Sequence, residues 1–226
     1  MADIFLSTTQ MLTEYARRYD GVLVSYSGGK DSLVTLDLCT RTFRRVVCFF
    51  MYFVPGLAVE EAVLDIGRKR YGVEVLYYPH WSVIAALKYG TYSAPHLSKD
   101  SLPGDYTLND VYNLARADSG IQLIACGIKK ADSEFRRKNM TAFQRKDVMC
   151  PLRDWNKLEI LSYLAMHKIP VPKTSKGKTE SATGVDLSAP ALCKLHDEHP
   201  DDWRKLLAWF PYAEAAIARR HLFGVK

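Results

Sequence analysis

Ser27-Gly28-Gly29-Lys30-Asp31-Ser32 lies between two stretches of different character. Before it, Val22-Leu23-Val24-Ser25-Tyr26 is a short apolar run that reads as a buried β-strand. After it, Leu33-Val34-Thr35-Leu36-Asp37-Leu38-Cys39 carries apolar residues at helical spacing. A strand, a Ser/Gly loop and a helix N-terminus, in that order, build a phosphate cradle. The two glycines are expected to adopt φ > 0 and to let the backbone approach an anion. The first amides of the helix have no internal acceptor and face the anion with the positive end of the dipole behind them. Ser27 and Ser32 add hydroxyls, and Ser25 stands at the strand end beside them. Lys30 adds a mobile cation, and Asp31 a carboxylate suited to placing Mg²⁺ directly or through water. The stretch is not the G-x-x-x-x-G-K-[ST] loop, because Asp31 follows Gly29-Lys30 and Val24 stands five residues before Gly29.

Outward from this loop, strands and helices alternate. The pattern predicts strands over 22–26, 46–52, 74–78 and 121–126. It predicts helices over 4–19, from the loop to about 43, and over 59–71, 81–89, 108–117, 157–167, 190–199 and 202–223. Residues 90–107 and 173–184 read as irregular. Such alternation implies an α/β fold: a doubly wound, mostly parallel sheet with helices on both faces. Residues 1–172 are expected to form the nucleotide-binding domain, and residues 173–226 a basic loop with a helical C-terminal extension. Ligands of such sheets bind at the carboxyl ends of the strands. Ser27, Tyr52 and Gly127 all stand there, and Tyr52 offers a ring to stack on a base.

The strand over 121–126 runs into Gly127-Ile128-Lys129-Lys130-Ala131-Asp132-Ser133-Glu134-Phe135-Arg136-Arg137. Its cations beside a strand end make a second candidate anion site, with arginine able to clamp an oxyanion bidentately. Farther on come Cys150-Pro151-Leu152-Arg153-Asp154-Trp155 and, after a helix, Ile169-Pro170. The six-residue loop resembles the signature of the PP-loop ATP pyrophosphatases, or adenine-nucleotide α-hydrolases. The three elements together resemble the phosphoadenosine phosphosulfate (PAPS) reductase family of that superfamily. Lys129-Lys130 stands where that family has Arg-Arg, while Asp132, Ser133 and Arg136 match its pattern. The resemblance covers roughly 21–172.

The resemblance implies an enzyme that binds ATP, or the related PAPS or APS, with Mg²⁺. The implied reaction cleaves at the α-phosphate, releases pyrophosphate and adenylates or modifies an acceptor that the sequence does not identify. Lys30, Asp31, Lys129 and Arg136 are the implied catalytic residues, with Lys130, Ser133 and Gly127 completing the phosphate-binding set. Thiol-dependent PAPS reduction is disfavoured, because no cysteine follows Cys193 where the family's reductases carry one near the C-terminus. Two alternatives stay open: a protein that binds or reduces PAPS or APS, and a non-catalytic nucleotide or nucleic-acid module supported by the Lys173–Lys178 loop.

The 226-residue chain is 48% hydrophobic and 25% charged, an ordinary globular balance. No apolar run approaches the roughly 20 residues of a membrane helix, and residues 1–6 carry no secretory pattern. The formal charge of +6 suits an anionic ligand and is compatible with nucleic acid without requiring it. Cys39, Cys48, Cys126, Cys150 and Cys193 are scattered without a C-x-x-C pair, a spacing that argues against zinc and against an iron–sulfur cluster. Reduced, core-like cysteines point to the cytoplasm. His80 and His96 are secondary candidates at the cleft. The oligomeric state stays open, a homodimer among the options.

Overall fold

The computed structural model describes residues 2–93, 104–170 and 185–224. Its centre is a five-stranded parallel sheet of order β3-β2-β1-β4-β5, made of β1 (Gly21–Ser25), β2 (Arg45–Tyr52), β3 (Glu74–Pro79), β4 (Leu123–Ala125) and β5 (Val148–Met149). Val22, Leu23 and Val24 are fully buried, which is why β1 reads as an unbroken apolar run and takes the middle position. Val24 pairs with Cys48 on one side and with Ala125 on the other. The strand order reverses between β1 and β4. In open α/β sheets the crevice at such a reversal, at the strands' carboxyl ends, is where ligands bind.

Helices α1 (Ala2–Ala16), α2 (Lys30–Thr42), α3 (Ala58–Tyr71), α4 (Trp81–Lys88) and α5 (Leu108–Ser119) follow the expected pattern to within a few residues. Other elements depart from it. β4 is three residues long instead of six, and β5 was absent from the sequence pattern because two residues carry no period. The short helices α6 (Glu134–Lys138) and α7 (Met140–Phe143) lie in a polar stretch with no apolar stripe. The final helix, expected as one rod, is two: α10 (Pro200–Trp209) and α11 (Glu214–Phe223). Pro211 divides them, since its ring clashes with the preceding turn and it has no N–H to donate. Helices α8 (Lys157–Met166) and α9 (Ala189–Glu198) form as expected. The domain boundary expected at residue 172 lies outside the described residues.

The chain divides into two compact units. The first comprises Met1–Phe50, Val63–Leu76 and Tyr112–Thr183. Asp37 is buried within it and accepts hydrogen bonds from Tyr163 Oη at 2.6 Å, Arg41 Nε at 2.7 Å and Tyr71 Oη at 2.8 Å. Burial alone would raise the Asp37 pKa, but these donors hold it below its ordinary value. Trp155 is also buried, donating to Thr8 Oγ1 at 2.8 Å, and Leu152 is fully buried. The Pro-Leu-x-Asp-Trp segment is thus anchored by its apolar members.

The second unit comprises Met51–Ala62, Tyr77–Val111 and Gly184–Lys226. Its core gathers Val54, Leu57, Val83, Leu192, Trp203, Leu206 and Phe210. Asp202, on α10, caps α3 by accepting from the amides of Ala58 and Val59, each at 2.8 Å. Glu60, also buried, accepts from the Val185 amide at 3.0 Å. Its burial, with Asp202 and Glu61 nearby, pushes its carboxyl up to about 8.

Candidate functional site

The Ser27–Ser32 loop leaves the buried end of β1 and enters α2 directly. Gly28 has φ +73°, and a Cβ there would lie 2.7 Å from Val63 Cγ2, so glycine is required twice over. Gly29 differs from the sequence expectation. It is the N-cap of α2 with φ −73°, an ordinary extended conformation, and so gives close approach without positive φ. Ser32 is buried and donates to the Gly29 carbonyl at 2.9 Å, while Ser27 Oγ donates to Ser32 Oγ at 3.3 Å. The two hydroxyls therefore brace the loop. The amides of the first turn of α2 have no carbonyl within the helix to bond, the arrangement by which a helix start can accept an anion. Ser25 is the last residue of β1.

The second element begins one residue after Cys126, at Gly127. A Cβ on Gly127 would lie 3.2 Å from the Asp31 carbonyl carbon and from Thr35 Oγ1, so glycine lets this loop lie against the start of α2. Lys129 follows and is almost fully buried. Its Nζ sits 2.9 Å from Asp31 Oδ2 and 2.6 Å from Asp132 Oδ1. Lys30 Nζ reaches Asp31 Oδ2 at 3.2 Å, and Arg136 Nη1 reaches Asp132 Oδ2 at 2.5 Å. Lys30, Asp31, Lys129, Asp132 and Arg136 thus form one chain of alternating charge. Burial acts to raise the Asp132 pKa, but Lys129 and Arg136 hold it below the usual carboxylate value.

Other predicted members are placed differently. Lys130 pairs with Asp154 at 2.5 Å, where Arg153 also pairs at 3.0 Å. Ser133 caps α6, accepting from the Arg136 amide at 3.1 Å. Tyr52 ends β2 and belongs to the second unit, where its carbonyl accepts from the His80 amide at 2.8 Å. His80 stacks on Phe53 and caps α4 by accepting from the Ser82 amide, and burial holds its pKa below the ordinary value. His96 and the Lys173–Lys178 loop lie outside the described residues.

Two contacts in and beside the site were not picked out from sequence. Asp132 matched the motif's acidic slot, but its pairing with both Lys129 and Arg136 needs the fold; the i, i+3 and i, i+4 spacings were the available signal. Cys126 and Cys150 stand 24 residues apart, yet their sulfurs are 3.5 Å apart.

One atom in the network is unmatched. Asp31 Oδ1 is buried and has no hydrogen-bond partner among the described residues. A buried carboxylate oxygen without a partner is costly, so the site fits a cation or a donor brought by a ligand. Asp31 stands by itself in this respect, since among the described residues no group of three His, Cys, Asp or Glu could hold a metal ion. A Mg²⁺ here would need phosphate oxygens and water for its other ligands.

The family profile of the phosphoadenosine phosphosulfate reductase domain matches residues 21–177. The chain belongs to this family. The matched region of this PAPS reductase-family protein contains both loops and the Pro-Leu-x-Asp-Trp segment. No curated protein matches it in sequence. Solved structures match it in fold. The U34-tRNA thiolase NcsA from Methanococcus maripaludis, with its [4Fe-4S] cluster, is 16% identical over 95% of this chain and 79% of its own, with a TM-score of 0.51. The NH3-dependent NAD synthetase from Campylobacter jejuni, in complex with nitrate, is 13% identical over 100% of this chain and 96% of its own, with a TM-score of 0.53. Both share the fold in which this family member's sheet is built.

The thiolase corrects one expectation. The exclusion of an iron–sulfur cluster from cysteine spacing does not stand, because a protein of this fold carries one. The physical reason is visible at Cys126 and Cys150: topology brings together cysteines that sequence spacing leaves apart. Among the described residues no helix is long and apolar enough to cross a membrane.

Proposed function

We propose that this protein is an ATP-using enzyme that cleaves between the α- and β-phosphates, releases pyrophosphate and transfers the adenylyl group or its energy to an acceptor. The observation that carries the reading is the unmatched Asp31 Oδ1, set between the helix-start cradle and a buried lysine. The amides of Gly29 to Ser32 would bind the pyrophosphate end, with Lys30 as its mobile counter-charge. Lys129 and Arg136 would turn from their carboxylates toward the α-phosphoryl oxygens, where negative charge grows during attack. Asp31 would hold Mg²⁺ through Oδ1, and the ion would neutralise phosphate charge. The protein's part is therefore positioning and charge stabilisation.

Among the described residues the charge balance supports an anionic substrate. Lys30, Lys129 and Arg136 face Asp31 and Asp132, and Lys130 and Arg153 face Asp154. Each group keeps one positive charge more than its carboxylates match. Anion binding then exchanges carboxylate partners for phosphate oxygens and leaves no buried lysine bare. The acceptor stays open. One protein of similar fold is a tRNA thiolase and another an NAD synthetase, so a nucleic-acid base and a small metabolite are both acceptor classes to test.

The rival substrate is PAPS or APS, and membership of the PAPS reductase family favours it. Incubation with ATP·Mg²⁺ or with PAPS, each with a metabolite pool and with transfer RNA, separates the two. Mass spectrometry should find AMP or an adenylylated product with pyrophosphate from ATP, and no sulfite from PAPS. Sulfite release from PAPS without turnover of ATP would replace the first reading with the second. Binding of ATP without any product from any pool would favour the non-catalytic module.

A further inference from the structure

Cys126 and Cys150 are used by nothing in the proposed reaction. They follow β4 and β5 directly, and the register that pairs Ala125 with Met149 makes them the next paired residues. The Cys126 amide continues the ladder, donating to the Met149 carbonyl at 3.0 Å. Paired residues on neighbouring strands are separated by about 4.8 Å, inside the roughly 4.4–6.8 Å that a disulfide spans between Cα atoms. Their side chains share one face, and the sulfurs already touch at 3.5 Å. Both residues are buried, Cys150 completely.

The two thiols also differ in character. The hydrogen bond to Cys150, with burial, pushes the Cys126 thiol well up. The same hydrogen bond holds Cys150 below the ordinary thiol value against its burial, with the Arg153 guanidinium adding to the effect. Cys39 and Cys48, by contrast, are pushed up by burial.

We propose that Cys126 and Cys150 form a reversible thiol–disulfide site, oxidised by hydrogen peroxide, whose closure weakens anion binding at the adjoining loops. The Cys150 thiolate attacks one peroxide oxygen, forming an S–O bond and breaking the O–O bond. The hydroxide that leaves takes a proton and becomes water. The Cys126 sulfur then attacks the sulfenic sulfur, forming the S–S bond as the S–O bond breaks. The hydroxyl departs with the Cys126 proton as a second water. The two thiols lose two electrons and the peroxide gains them.

The consequence follows from packing. Closing the sulfur gap pulls residue 126 toward residue 150, and Gly127 moves with its neighbour. Gly127 lies beside the main chain of Asp31, too close for even a Cβ to fit comfortably, and the Lys130 amide is bonded to the Arg153 carbonyl at 2.9 Å. A shift at the cysteines therefore reaches Asp31 and Lys129 together. The affinity consequence rests on the nucleotide reading; the disulfide itself does not.

The test treats the full chain with hydrogen peroxide, blocks free thiols by alkylation and maps peptides by mass spectrometry. Calorimetry with ATP·Mg²⁺ follows on the reduced, oxidised and re-reduced protein. The expected result is a linked Cys126–Cys150 peptide that dithiothreitol reverses, and an affinity about tenfold lower while it is present. Cys126→Ser and Cys150→Ser should each abolish the linked peptide, and wild-type peptide mapping decides the matter even if a variant fails to fold. Recovery of both residues as free thiols or as separate sulfinic acids would overturn the proposal, as would linkage to a different cysteine. A linked peptide with unchanged ATP affinity would overturn the coupling to the loops. Reduced protein that fails to bind ATP while still forming the linked peptide would sink the nucleotide reading and uphold the thiol site.

Discussion

At Ser27–Ser32 the proposed anion would meet the main chain, whereas at Gly127–Arg136 it would meet side chains, and those are already paired. The first loop uses a left-handed glycine, two hydroxyls that brace the turn and the free amides of a helix start. It has little to rearrange. In the second, Lys129 is buried between two carboxylates and Arg136 is held by one of them. Such groups must exchange partners to serve a ligand. A backbone cradle is fixed by folding, while a charge network can be stable without ligand and still respond to it. Substitutions in the first loop should therefore act through conformation, and those in the second through electrostatics.

The largest effect is expected at Lys129. Lys129→Met keeps the length of the stem and removes the ammonium, leaving Asp31 and Asp132 facing each other. Breaking a buried pair by removing one partner costs about 3–5 kcal/mol, and the partial exposure of both carboxylates brings the expectation to about 3 kcal/mol. Urea denaturation at neutral pH measures it. A variant as stable as the parent would show that the network is a solvated face and would break the comparison.

Next is Gly28. Gly28→Ala forces a Cβ into the left-handed region and against Val63, for about 2–3 kcal/mol of lost stability. Gly29→Ala, at an extended N-cap, should cost no more than about 1 kcal/mol. Equal losses at the two positions would show that the loop's glycines serve close approach alone. Loss of ATP binding in a folded Gly29→Ala variant would assign that approach to Gly29.

A smaller, pH-dependent effect tests the second element by itself. Asp132 titrates below its ordinary value in the folded chain because Lys129 and Arg136 outweigh its burial. Its contribution is fully present above the unfolded carboxylate value of about 3.9. It is lost as the pH falls through the lower folded value. Asp132→Asn should cost about 1 kcal/mol at neutral pH, and the gap from the parent should close in acid. A gap that stays constant between neutral pH and pH about 3 would mean that Asp132 acts by hydrogen bonding and not by charge.

How much of this was legible differs between the loops for the same reason that their mechanics differ. The first loop is local: strand, turn and helix start are adjacent in sequence, so residue identity was enough to put Ser27, Gly28, Lys30 and Ser32 on one strand-to-helix turn. Even there, Gly28 and Gly29 look alike in sequence and differ in φ, because only the packing of Val63 distinguishes them. At the second element the cations were legible, but which carboxylate holds each was not. Asp31 lies nearly a hundred residues before Lys129, and Asp154 is 24 residues after Lys130. The helix break at Pro211 was readable from proline chemistry and was missed because the apolar spacing continues across it. The second unit is built from three separated segments, and no period in the sequence announces that Asp202 caps α3 or that Glu60 meets Val185.

The smallest expected effect on stability sharpens the comparison most. Lys130 stands next to Lys129 in sequence, but its ammonium is paired with Asp154 at a partly solvated position, with side-chain exposures of 36% and 46%. Surface pairs of this kind contribute about 0–1 kcal/mol, and Arg153 remains to hold Asp154 when Lys130 is removed. Lys130→Ala should therefore lower stability by less than about 0.5 kcal/mol. If Lys130 turns to a phosphate oxygen when nucleotide binds, the same substitution should weaken ATP binding by about 1.5 kcal/mol, the scale of a hydrogen bond to a charged group. Lys129 would then lose stability and affinity together, and Lys130 affinity alone. Denaturation and calorimetry on the two variants separate these outcomes. Unchanged affinity in Lys130→Ala would assign Lys130 to the surface and confine the second anion element to Lys129 and Arg136.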